Sequence, residues 1–121
     1  MTLWVDGRLD GMRNTNVVPG ACEAPLWLGG DPLHGPTARP FAGHIDELRI
    51  WDGPRSAEQL ALTRSRSSSG DEPGLLLHWA LDEGKGARAK DSSPAGRHGT
   101  LGTGLKDDPQ APRWAPDTPF R

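Results

Sequence analysis

The sequence predicts an all-β, antiparallel fold of short strands with one short surface helix, and three observations carry that prediction. Gly and Pro, 16 and 12 of the 121 residues, favour turns over long helices. Two segments, 41–53 and 75–81, place strand-forming residues between turn signals. An Asp-Gly dipeptide at Asp6-Gly7 separates two short apolar stretches, which is a strong hairpin signal.

A chain of 121 residues makes one domain at most, and 34% hydrophobic content with two Phe and no Tyr is thin for an independent core. Five Trp partly compensate, because each buries a large area. The net charge of -2 and the lack of a basic stripe exclude a nucleic-acid partner. Cys22 is the only cysteine, so no intrachain disulfide, metal-binding Cys pair or redox pair is available, and a small loop residue is its expected role. No apolar run reaches spanning length and no basic segment leads into an apolar one, so membrane insertion is not expected.

In chain order, Thr2 to Val5 reads as a strand, Asp6-Gly7 as its turn, and Arg8 and Leu9 as the return before a second Asp-Gly at Asp10-Gly11. So abrupt a start implies a preceding segment. Val17 and Val18 make a short strand broken by Pro19-Gly20, and Leu26-Trp27-Leu28 another, closed by Gly29-Gly30. The Pro-rich stretch 31–40 is a surface loop.

The segment 41–53 is the central strand. Leu48 and Ile50 share a face at period two, while Ile45 has the opposite parity. An extra residue near Asp46 and Glu47 would keep all three inward and turn the Asp46 carboxylate toward the sheet rim. Alternatively, Asp46 caps the strand or solubilises its edge. Gly53-Pro54 ends pairing, and Ser56 with Gln59 forms a capping box for a short helix through Ala57, Leu60, Ala61 and Arg64.

Residues 65–74 read as a Ser-rich linker. In 75–81, Leu75, Leu77, Trp79 and Leu81 share one face and His78 and Ala80 the other, a half-buried antiparallel pattern. The polar run 85–97 is a long loop, 98–101 a brief strand, and 102–121 a Pro-rich tail that is ordered only if Trp114 docks, Phe120 being its other large apolar residue.

Two stretches together resemble the laminin-G-like jellyroll modules of the concanavalin A-like lectin and glucanase superfamily. Phe-Ala-Gly-His-Ile-Asp-Glu-Leu-Arg-Ile-Trp-Asp at 41–52, continuing through Arg-Ser-Ala-Glu-Gln-Leu at 55–60, looks like the closing strand and the helix behind it. Leu-Leu-Leu-His-Trp-Ala-Leu-Asp-Glu-Gly at 75–84, then Asp91-Ser92-Ser93 and His98-Gly99-Thr100-Leu101, resembles the opening strand and its loop. The order is inverted relative to the family and the intervening strands are missing. The resemblance therefore implies a partial jellyroll-type β-sandwich: residues 1–64 as the C-terminal half of a module, and 75–101 as an opening motif expected to pair antiparallel with 45–51.

Catalysis is not expected. Asp46/Glu47 and Asp82/Glu83 are adjacent pairs whose carboxylates diverge in a strand, and His34, His44, His78 and His98 lack zinc-enzyme spacing. Resemblance to calcium-binding jellyrolls implies Asp46 and Asp91 as metal ligands, with backbone oxygens around 96–98; the other reading makes Asp91 the start of a Ser-rich turn. Among Trp4, Trp27, Trp51, Trp79 and Trp114, Trp51 is the candidate for ligand binding, because inward placement of Ile50 sends it to the opposite face. The resemblance as a whole implies a non-catalytic binding or adhesion module of a larger extracellular protein, with glycan or protein partners. The alternatives are a structural spacer or an accessory module of a carbohydrate-active enzyme. Open sheet edges add a tendency to self-association.

Overall fold

The computed structural model describes residues 1–14, 16, 20, 23–30, 41–64, 66, 68–104, 108–109 and 111–116. Its elements are β1 (Thr2–Val5), β2 (Arg8–Met12), β3 (Leu48–Trp51), α1 (Ala57–Arg64), β4 (Leu75–Trp79), β5 (Arg88–Ala89) and β6 (Gly99–Thr100). Among the described residues the ladders are antiparallel and two-stranded: β1 with β2, β3 with β4, β5 with β6. The chain divides into two compact units, Met1–Phe41 and Ala42–Arg121.

In the first unit, Asp6 and Gly7 both adopt left-handed backbone, φ 50° and 76°. A two-residue turn of this hand matches the twist of the flanking strands. The register runs Thr2↔Met12, Leu3↔Gly11, Trp4↔Leu9 and Val5↔Arg8, which leaves Asp10 opposite no residue of β1. The second Asp-Gly thus builds a bulge. The open end is closed by Met1 N donating to Arg13 O at 2.8 Å and Arg13 N to Met1 O at 2.9 Å. Residues 26–28 are not the expected strand; they are irregular and exposed. An apolar triplet takes strand geometry from a ladder partner, and none of the described residues supplies one. The expected strand at Val17 and Val18, the Cys22 loop, the 31–40 loop with His34, and Phe120 lie outside the described residues.

In the second unit, β3 and β4 pair as Leu48↔Trp79, Arg49↔His78 and Ile50↔Leu77, then slip to Trp51↔Leu75. The irregularity therefore lies at Leu76, not at Asp46. Glu47 instead has φ 53°, which ends the ladder before Ile45 can join it. Ile45 is accordingly 39% exposed rather than inward. Leu81, at φ 62°, likewise stops β4 short of the expected end. Among the described residues, Leu75, Leu77 and Ala89 are the buried apolar ones. His78, on the parity expected to face water, is only 2% exposed, so β4 is buried on both faces at this position, whereas Leu76 is 39% exposed.

Local chemistry fixes the remaining elements. Ser56 N donates to Gln59 Oε1 at 2.8 Å and Gln59 N to Ser56 Oγ at 3.3 Å, the reciprocal pair of a capping box. At the other end of α1, Arg49 Nη1 donates to Thr63 O at 2.5 Å and Nη2 to Arg66 O at 2.5 Å, where a cation also complements the helix dipole. The segment expected as a linker contains an ordered turn: the Glu72 carboxylate accepts from Ser68 Oγ at 2.7 Å, Ser69 N at 3.3 Å and Gly70 N at 3.1 Å. Burial pushes the Glu72 carboxyl up, but these hydrogen bonds outweigh it and hold it below its ordinary range. The expected long loop contains β5, aligned as Arg88↔Thr100 and Ala89↔Gly99. Trp114 docks by donating from Nε1 to Gly86 O at 2.8 Å.

Candidate functional site

β4 and the turn after β5 meet around Asp91, which is 3% exposed and bridges to Trp79. Its Oδ1 accepts from His78 N at 2.9 Å and Ser93 N at 2.9 Å; its Oδ2 accepts from Ser93 Oγ at 2.8 Å and Arg97 N at 2.6 Å. Each oxygen thus takes two donors. Burial raises the Asp91 carboxyl, yet the bonds from His78, Ser93 and Arg97 together hold it below the usual Asp range.

A second polar chain crosses the β3–β4 ladder. Glu47 Oε2 lies 2.5 Å from Arg49 Nη2 and 2.9 Å from His78 Nε2, and His78 Nδ1 lies 2.6 Å from Ser92 Oγ. With Nε2–H directed to the carboxylate, Nδ1 accepts from the Ser92 hydroxyl. Carboxylate, imidazole and hydroxyl in series is also the order of a nucleophile relay. Here, however, Glu47 is shared with Arg49 and the imidazole is enclosed. This arrangement fastens the Ser92 turn to β3.

The expected site residues are placed differently from one another. Asp46 is half-buried, and its Oδ1 is enclosed without a hydrogen-bond partner. Asp91 is committed to its turn, as the second reading of that residue had it. Among the described residues, no group of three or more His, Cys, Asp or Glu is disposed to hold a metal ion. A calcium ion needs several oxygens with free lone pairs, and the Asp91 oxygens are already occupied by the chain's own donors.

Trp51, at the end of β3, is half-buried, and the Arg55 guanidinium carbon stands 3.9 Å from its ring centroid. Such a cation–π contact fixes the indole's orientation. Trp79 is oriented by Nε1 donating to Arg97 O at 2.9 Å. The sequence points to no joint role for Glu47, Arg49 and His78: Glu47 and His78 enter it only as a diverging carboxylate and a histidine without zinc spacing. The available signal was His78 itself, a polar residue within an apolar strand, but its partner Glu47 is 31 positions away.

Residues 1–61 match a laminin-G family model of the concanavalin A-like lectin/glucanases superfamily. The matched span contains β1, β2, β3 and the first part of α1, and excludes the Asp91 turn. No curated protein and no solved structure matches the chain.

Proposed function

Because the chain belongs to the concanavalin A-like lectin/glucanase superfamily as an incomplete laminin-G-like module, we propose that it is a non-catalytic binding or adhesion module of a larger extracellular protein. Its fold is a partial jellyroll of antiparallel strands with one short helix. Among the described residues, no helix is long and apolar enough to cross a membrane. The observation that carries the ligand reading is Trp51 braced by Arg55. The guanidinium covers one face of the indole; the other face offers an apolar surface to the C–H side of a sugar ring, and guanidinium N–H groups at the indole edge donate to sugar hydroxyls. The non-catalytic part is supported by the enclosed His78 and by the Arg49 contact on Glu47, which ties up the carboxylate a base would need.

A glycan array probed with the full chain tests this reading. Binding is expected to weaken about tenfold in Trp51→Ala and by a smaller factor in Arg55→Ala, as loss of a stacking contact of about 1–1.5 kcal/mol implies. Glycan binding indifferent to both substitutions would remove Trp51 from the account, and no binding to any glycan would leave the protein-partner or spacer reading. In this reading the Asp91 turn is held by its own donors instead of calcium. Millimolar calcium is then expected to leave the unfolding midpoint unchanged, and an upward shift would restore a calcium site.

A further inference from the structure

The first unit buries none of its described residues; only Trp4, Gly11 and Gly30 reach half-burial. Leu3, Val5, Leu9 and Met12 are 55%, 49%, 50% and 68% exposed. The register puts Trp4, Leu9 and Met12 on one face of the hairpin and Leu3 and Val5 on the other. A lone two-stranded hairpin is marginal in water. Among the described residues the outer edge of β2 pairs with no strand, and an open edge of this kind is a template for strand addition.

The sequence of β2 says which neighbour fits. Arg8, Leu9 and Asp10 are self-complementary: in an antiparallel alignment about a two-fold axis at Leu9, Leu9 meets the partner's Leu9 and Arg8 meets the partner's Asp10. The symmetry makes that charge pair twice. Neither Arg8 nor Asp10 has an ion pair among the described residues. Asp10, as the extra residue of the bulge, is opposite no residue of β1. β1, Thr-Leu-Trp-Val, has no charge with which to set a register.

We infer that the hairpin docks on a second copy of this chain, β2 against β2, forming a four-stranded antiparallel ladder in the order β1-β2-β2-β1. The Trp4, Leu9 and Met12 faces of the two copies then join into one apolar surface. Strand addition supplies backbone hydrogen bonds, and the charge pairs fix the register. This inference is independent of the glycan reading, since it concerns the first unit and Trp51 lies in the second.

Light scattering across a concentration series of the full chain tests it. The wild type is expected to dimerise, and less tightly as salt is raised. Arg8→Asp and Asp10→Arg each set like charges opposite one another, and each is expected to weaken the dimer about tenfold or more. Mixing the two variants puts opposite charges together at both symmetry positions, so the mixture is expected to dimerise as the wild type does. The double variant Arg8→Asp/Asp10→Arg is expected to recover alone, which separates charge from misfolding. A wild type that stays monomeric or forms only larger species overturns the inference. So do single variants as tight as wild type, or failure of both rescues.

Discussion

Replacing Asp91 with alanine is expected to destabilise the second unit by about 3–5 kcal/mol, a large share of what a small domain has. The substitution orphans the backbone N–H groups of His78, Ser93 and Arg97 together and leaves the Ser93 hydroxyl only Leu76 O, at 3.3 Å, as acceptor. Two of those residues, His78 and Ser93, are themselves buried, so water cannot readily replace the lost acceptor. Asp91→Asn retains one carbonyl oxygen but turns an amide donor toward a neighbour that also donates, and an intermediate loss is expected. Urea unfolding followed by tryptophan fluorescence reads the effect. Trp79 is a suitable reporter, because its indole is tied to Arg97 O on the same turn. A loss below about 1 kcal/mol for the alanine variant would mean that the turn does not depend on this carboxylate.

The same residue gives a signed pH dependence. Its folded-state carboxyl lies below its ordinary value: burial pushes it up, but the donated hydrogen bonds win. A carboxyl depressed by folding contributes stability that is fully present above the unfolded-state pKa and is lost as pH falls through the folded-state pKa. The wild type is therefore expected to lose stability in the acid range where Asp91→Asn, having nothing to titrate there, does not lose that component. Glu72, also held low by hydrogen bonds after burial is outweighed, acts in the same direction.

Features legible in the sequence are those whose partners lie within a few positions. Asp6-Gly7 specified its turn through the left-handed backbone those residues tolerate, and Ser56 with Gln59 specified the start of α1 because the capping box closes over three residues. The strand around Leu48 and Ile50 was visible from its alternation, but its first residue was not. Glu47 takes a left-handed φ that its residue type does not favour, held by Arg49 and His78. Periodicity cannot report a conformation imposed from 31 residues away. The same reason hid the burial of His78 and the two-residue strands β5 and β6, too short to show a period. The alignment of β3 with β4 came from resemblance, since nothing local to 75–79 names its partner.

Gly70→Ala is the second substitution expected to have a large effect, of about 2–4 kcal/mol. Gly70 is buried with φ 92°, a conformation an L side chain rarely adopts. A Cβ there would also press on the Ser92 carbonyl oxygen and carbonyl carbon, closer than real Cβ atoms come. The obstacle is backbone of the turn that Asp91 and His78 hold in place, with Ser92 N donating to His78 O at 3.0 Å. It cannot swing aside as a flexible side chain would. Gly86 provides the control, because its φ is also left-handed, 78°, while a Cβ there meets nothing within 4 Å. Gly86→Ala thus bears the backbone strain alone, about 1 kcal/mol. The difference between the two variants in urea unfolding isolates the close approach of the 68–72 turn to Ser92. Equal losses would show that conformational strain accounts for both and that the two turns are free to separate. A much larger loss at Gly70 would establish their contact as a rigid part of the fold, coupling the Glu72-held turn to the Asp91 turn across the face of β4.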